Sequence, residues 1–324
     1  MRIALDIMGG DNAPSEIIAG GLLAAREFPD CEIVMVGTEE ALSAAREKPQ
    51  NVSFIPCTTV MGMDEPVDNL LSKKDSSIWI ATKLVKDKEA DAVVSAGSTG
   101  AQMTAAVLLL GRVKGCARPA IGTILPTLQG GRILLDVGAN PEVTAEMLMQ
   151  FAAMGSIYSQ VVLKTKTPRV ALLSNGTEEC KGTQTVISAH RLLAQSSLNF
   201  IGNKEGRDLL VGDYDVLVCD GFSGNIAIKS IEGTAQVMFS MIKEEISQNL
   251  VRKAGAFLVW SGLKNIKLKL DYAETGGAPL LGVNGISIIC HGSSNAQAIK
   301  NAAKVAISCH EGGFAKKISE AFTG

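Results

Sequence analysis

A chain of 324 residues, 46% hydrophobic and 20% charged, carries enough apolar side chains for a large core and falls in the globular class. A formal net charge of −2 and an aromatic content of 4% exclude the basic field and the stacking platforms that general nucleic-acid binding requires. Seven scattered cysteines, with no C-x-x-C pair, read as reduced and mostly buried thiols of a cytosolic protein, and no apolar run approaches the length needed to span a bilayer.

The opening Met1-Arg2-Ile3-Ala4-Leu5-Asp6 reads as neither a signal nor a transit peptide, and residues 2–6 form the first expected strand. It ends in Met8-Gly9-Gly10-Asp11, and a helix follows with Pro14 in its first turn. Strand 32–36, helix 39–47 and strand 52–55 come next. After a polar connection, Asp75 or Ser76 is placed to cap a helix running to Lys86. Strand 91–95 then meets Gly97-Ser98-Thr99-Gly100 and a helix over 101–110. Strands near 120–125 and 132–136 follow, the second ending in Asp136-Val137-Gly138-Ala139-Asn140 before a helix that Pro141 opens.

The second half keeps this rhythm. Strand 169–174 opens into Asn175-Gly176-Thr177 and, after Lys181, a helix over 184–195; strand 215–219 ends in Asp220-Gly221-Phe222-Ser223-Gly224-Asn225, with a long helix from Ile226 to Asn249. Strand 286–290 leads through His291-Gly292-Ser293-Ser294 into a closing helix. Strands alternating with helices predict an α/β protein, three layers deep in α/β/α order, with a mainly parallel sheet. In such sheets ligands bind where the carboxyl ends of strands collect their loops. Six strand-end loops rich in glycine, hydroxyls and amides are therefore expected to surround one ligand, and a strand-to-helix turn favours an anion such as phosphate.

Other chemistries lack their signatures. No G-x-G-x-x-G follows a strand, and Lys181-Gly182-Thr183 lacks the spacing of a P-loop. The three histidines, His190, His291 and His310, form no H-E-x-x-H, so neither a metal nor a cofactor is expected. Cys290 and His291 are neighbours along a strand, where side chains point to opposite faces, which argues against a catalytic dyad.

Seven ordered blocks carry a more specific message: Met8-Gly9-Gly10-Asp11, Lys73-Lys74-Asp75-Ser76-Ser77, the run from Ser95 to Ala101, the run from Leu135 to Asn140, Gln150 to Gly155, Asp220 to Asn225, and Gly276 to Gly282. Together, end to end, they resemble the PlsX-type acyl-ACP:phosphate acyltransferases of bacterial phospholipid synthesis. Ser98 stands where many members are expected to have Asn, and Asn175-Gly176-Thr177-Glu178-Glu179 is a variant of the usual loop. The resemblance implies a fold like that of phosphotransacetylases and isocitrate/isopropylmalate dehydrogenases, with residues 1–324 acting as one unit of soft internal boundaries. It also implies conversion of acyl carrier protein thioester and inorganic phosphate to acyl phosphate, without a cofactor. A homodimer on the inner face of the membrane, supplying a glycerol-3-phosphate acyltransferase, completes what it implies.

With phosphate as the expected ligand, Ser98, Thr99, Gly100 and Asn225 are its candidate binders, joined by Lys181, the one cation inside a strand-end loop. Asp220 and His291, at the mouths of two strands, are candidates for a general acid or an orienting group. Lys181 also has a plainer alternative as a solvated lysine and His291 as a structural histidine, while Asp11 and Asp136 are expected to cap helices or brace the glycine loops. Residues 249–272 combine Phe257, Leu258 and Trp260 with a basic border, and two short amphipathic helices joined near Ser261-Gly262 would lie on a membrane or at a dimer contact. The competing functions are a phosphotransacetylase acting on acyl-CoA and a non-catalytic membrane scaffold.

Overall fold

The computed structural model describes residues 1–45, 49–270 and 276–323. Along β1 (Arg2–Asp6) the two-residue period of a strand sends Ile3 and Leu5 to one face and Ala4 to the other, and both sets are buried. The same alternation runs through β2 (Glu32–Gly37), where Ile33 and Met35 oppose Val36, and through β4 (Ala92–Ser95), where Ala92 and Val94 oppose Val93. Buried alternation of this kind needs cover on both faces. One face is covered by α1 (Ser15–Glu27), α5 (Ala145–Val161), α9 (Ala296–Glu311) and α10 (Phe314–Thr323), whose Ile17, Phe151, Ile299 and Phe314 share a cluster with the strands. The other face carries α3 (Ser77–Lys86) and α4 (Thr99–Leu109). The three-layer α/β arrangement read from the sequence is thus present.

The sheet has 11 strands in the order β3-β2-β1-β4-β11-β10-β5-β6-β9-β7-β8. The elements not yet placed are β3 (Val52–Pro56), β5 (Ala120–Thr127), β6 (Gly130–Leu135), β7 (Val170–Leu173), β8 (Phe200–Lys204), β9 (Val216–Val218), β10 (Ala278–Leu281) and β11 (Ile286–Ile289). Pairing is parallel from β3 to β11 and again from β6 to β8. Between these blocks, β11–β10, β10–β5 and β5–β6 are antiparallel. Successive reversals leave β6, β9 and β7 running opposite to β1, β4 and β11. The strand ends therefore do not form the single rim expected from the sequence. They open from two blocks, and only those near the antiparallel seam come together.

Several element boundaries also differ from expectation. The short α2 (Glu39–Ser43) stops before the expected helix end, and residues 46 and 47 lie outside the described residues. Strands β8 and β10 were not foreseen, because Gly202 and Asn203 sit in the first and Pro279 in the second, all of them weak strand signals. At the other extreme, α7 (Gly221–Ser247) starts five residues earlier than expected, since Asp220 caps it, and α8 (Leu250–Leu270) runs unbroken through Ser261 and Gly262. The break is thus between Ser247 and Leu250. A helical glycine costs only about 1 kcal/mol and does not by itself end a helix. Residues 271 and 272 of the expected amphipathic element lie outside the described residues.

Candidate active site

Two buried carboxylates build the loops of the site. Asp6, at the end of β1, accepts hydrogen bonds from Ser95 Oγ at 2.7 Å and from the Met8 amide at 3.1 Å, and Ser95 Oγ in turn accepts the Gly97 amide at 3.0 Å. The loops after β1 and β4 are so close that a side chain on Gly9 would put its Cβ 2.5 Å from the Gly97 nitrogen. Asp136 does the same work after β6, accepting the amides of Ile121, Gly138, Ala139 and Asn140 at 2.7–3.2 Å and the Asn140 side chain at 2.9 Å. Burial raises the pKa of both carboxyls, and these hydrogen bonds oppose the rise by favouring the charged form. Both are braces. The first turn of α7 packs on the second brace, where a Cβ on Gly224 would collide with the Asp136 carbonyl oxygen.

Between the braces lies a cavity of about 570 Å³ at the seam of the sheet. Three helices present their N-terminal turns to it, with Thr99 of α4, Asn225 of α7 and Ala298 of α9 on its wall. Of these, Thr99 alone is the first residue of its helix; Asn225 is the fifth of α7, and the α9 turn already donates its Ala296 amide to Glu16 Oε2 at 2.8 Å. Side chains cap two of them: Asp220 accepts the Ser223 amide at 2.8 Å for α7, and Asn295 accepts the Ala298 amide at 2.9 Å for α9. The α4 turn differs. Its cap residue Ser98 makes no side-chain cap hydrogen bond, so the amides of that turn have no side-chain acceptor of this kind.

The cavity's ammonium comes from Lys229, whose Nζ lies 2.8 Å from Glu232 Oε2 and 3.0 Å from His291 Nε2. An ammonium only donates, so this contact uses the Nε2 lone pair, while Nδ1 lies 2.8 Å from Ser293 Oγ and 3.2 Å from the Ser293 amide nitrogen, so the ring is held on both sides. Burial first, and the Lys229 charge second, hold His291 below the usual imidazole range, which keeps it neutral at neutral pH. Ile121, Val137, Ile228 and Ile289 give the same cavity an apolar wall.

The structure brings some expected residues together and separates others. Thr99, Asn225 and His291 line the cavity. Ser98 and Gly100 flank Thr99 without lining it; Gly100 is half-buried under Val67, 2.8 Å from where its Cβ would be. Asp220 has both carboxylate oxygens engaged by Ser223, at 2.8 Å each, so it is a helix cap and stands off the cavity wall. Lys181 is exposed in the loop after β7, which two strand positions separate from β6, and does not line the cavity. Sequence reading missed Lys229 because it sits in a helix and not in a loop. A signal was there: Asn225, Ile228, Lys229 and Glu232 fall at i, i+3, i+4 and i+7, one face of a helix that starts at Gly221.

Comparison with known proteins bears on this geometry. The family described as fatty acid synthesis protein matches residues 1–317. A phosphate acyltransferase of Desulfitobacterium hafniense (strain DSM 10664 / DCB-2) is 53% identical, covering 99% of this chain and 97% of its own. The chain belongs to the phosphate acyltransferase family. A second member, from Heliobacterium modesticaldum, is 50% identical over 100% of this chain and 98% of its own. The family is one of enzymes, and phosphate is the acceptor its name states. Among solved structures, the EutD phosphotransacetylase from Staphylococcus aureus superposes with a TM-score of 0.60 at 18% identity, covering 95% of this chain and 93% of that one. A phosphotransacetylase from Streptococcus pyogenes gives 0.62 at 17% identity, covering 96% and 94%. At such identities the likeness is one of fold.

Proposed function

We propose that this chain moves a fatty acyl group from the thioester of acyl carrier protein to inorganic phosphate, releasing acyl phosphate and holo-carrier for phospholipid synthesis. What supports this reading is that the uncapped start of α4 at Thr99 and the Lys229 ammonium meet at a cavity that also has an apolar wall. An anion suits the first part and an acyl chain the second. Phosphate is itself the nucleophile: one of its oxygens attacks the thioester carbonyl carbon, a tetrahedral oxyanion forms, the C–S bond breaks, and the thiolate leaves to be protonated by solvent. No covalent enzyme intermediate is required. Cys290, on the cavity wall, has its thiol pushed up to about 12 by burial and stays protonated.

In this scheme Thr99, the residue of the Ser98–Gly100 turn that lines the cavity, holds phosphate, with Asn225 and Lys229 reaching it from α7. His291 orients Lys229, and Asp220 fixes the start of the helix that carries both α7 groups. Holding two reactants in line can remove about 7–11 kcal/mol of barrier, and one well-aimed oxyanion donor about 3–4 kcal/mol. The whole chain acts as one catalytic unit. Its α7–α8 hairpin seats a homodimer on the inner face of the membrane, beside a glycerol-3-phosphate acyltransferase that consumes the product. Support for that placement is that Phe257 and Leu258 are each 82% exposed, Trp260 62% and Val259 57%, whereas Ala256 is buried in a groove shared with Ile246 of α7. No described helix is long and apolar enough to cross a membrane.

Incubation of the pure protein with acyl carrier protein thioester and phosphate, followed by phosphorus NMR, tests the reaction. An acyl phosphate signal is expected, with acyl-CoA slower in parallel. Faster turnover of acyl-CoA would make the enzyme a phosphotransacetylase, and no acyl phosphate from either thioester would end the proposal.

A further inference from the structure

A second cavity, of about 510 Å³, lies on the other side of the loop that closes the first. Val137 and Gly138 face the first cavity, and Ala139 and Asn140 face the second. Helix α4 also serves both, with Thr99 on the first and Met103, Val107 and Leu108 on the second. From Thr99 to Leu108 the helix advances about 14 Å at 1.5 Å per residue, a span an extended pantetheine arm can bridge. The shared wall is stiff, because Asn140 Nδ2 donates to the Pro119 carbonyl at 2.7 Å and to Asp136 at 2.9 Å.

The second cavity has a basic lip. Arg112 and Arg118 line it and Lys114 lies between them in sequence; all three are exposed. Its lining holds no acidic residue, and among the described residues none of the three cations has a carboxylate within ion-pair distance. Arg112 donates to the Ala117 carbonyl, which fixes its guanidinium at the rim. Unpaired arginines over an apolar floor of Met103, Val107 and Leu108 match a phosphodiester followed by an uncharged chain.

We infer that this second cavity is the docking site of the carrier protein, its arginines taking the phosphodiester of the phosphopantetheine arm and the acidic surface beside it. The inference rests on the proposed acyl transfer and names the route by which the thioester reaches bound phosphate: past Arg112 and Arg118, along α4, to Thr99.

The test compares kcat/KM for acyl carrier protein with kcat/KM for acyl-pantetheine, which has neither phosphodiester nor protein, in the wild type, Arg118→Glu and Lys114→Glu. Arg112→Glu is read only if its thermal melt matches wild type, because Arg112 also holds the Ala117 carbonyl. The ratio of the two constants is expected to fall at least tenfold on charge reversal, and the wild-type ratio to fall with added salt as rim electrostatics weaken. A ratio unmoved by reversal overturns the inference. So does a common decline of both substrates with a change of oligomeric state, which would assign this face to a second copy of the chain. A wild type that uses acyl-CoA and not acyl carrier protein also overturns it, while leaving acyl transfer to phosphate in place. Binding of holo-carrier, read by fluorescence anisotropy, keeps the two proposals separable. If Arg118→Glu weakens binding while the wild type forms no acyl phosphate, the docking site stands and the reaction does not.

Discussion

At 3.0 Å from Lys229 Nζ, His291 Nε2 sits beside a positive charge that half-buried surroundings screen only in part. Burial and this charge act in the same direction on the imidazole, while Glu232 and Asp11 oppose them. Acidification therefore protonates the unfolded chain first, and stability falls as pH drops from the usual imidazole range towards the lower native value. Replacing Lys229 with Met removes the second of the two depressing causes and leaves Glu232 in place. The His291 titration, followed by proton NMR, is expected to move to higher pH; an unmoved or lowered midpoint would mean that the contact is not made in solution. Of these residues, His291 was legible from sequence as a polar group at a strand end. Lys229 was not, because its importance depends on where α7 begins, and that is fixed by the Asp220 cap.

Among the elements, the α7–α8 hairpin departs most from its sequence signal. Ser261-Gly262 reads as a break, yet α8 passes through it, and added Cβ atoms at Gly255 and Gly262 would meet nothing within 4 Å. Gly255→Ala and Gly262→Ala are each expected to raise stability by about 0.5–1 kcal/mol, measured by urea unfolding, since alanine restores helix propensity without a clash. A loss of stability at either site would show that those glycines are covered. The apolar residues of α8 were legible; their presentation was not, because an apolar cluster in sequence does not say which face a neighbour covers. Ala256 is buried in the groove beside α7, leaving Phe257, Leu258, Val259 and Trp260 exposed. Leu258→Glu combined with Trp260→Glu is expected to weaken binding to anionic vesicles at least roughly tenfold per residue, from about 1.5–3 kcal/mol of apolar burial each. Turnover in solution should persist, and sedimentation with vesicles unchanged by both substitutions would remove the membrane placement.

On the scale of the whole molecule, alternation of strands and helices disclosed the layers, and the glycine loops raised the expectation of an anion that the proposed function takes up. What stayed hidden was the reversal of direction across β10, β5 and β6, since pairing between strands distant in sequence leaves no periodic trace in either. That reversal decides between two lysines. Lys181 follows β7, deep in the second block, whereas Lys229 projects from the helix after β9 into the seam. Lys229→Ala is expected to lower kcat/KM for phosphate by about 10- to 100-fold, the equivalent of a lost charged hydrogen bond of 1.5–3 kcal/mol. Lys181→Ala is expected to stay within about twofold of wild type in the same assay. The opposite ranking would move the phosphate site to the other block.

One rod of 27 residues, α7, passes the chamber wall from its fifth residue and leads to α8 with its exposed apolar residues. Its length is about 40 Å at 1.5 Å per residue, measured from the Asp220 cap. Under the proposed function, the groups that would hold phosphate and the apolar tip that would meet a membrane stand at opposite ends of this one unbroken rod and its α8 partner.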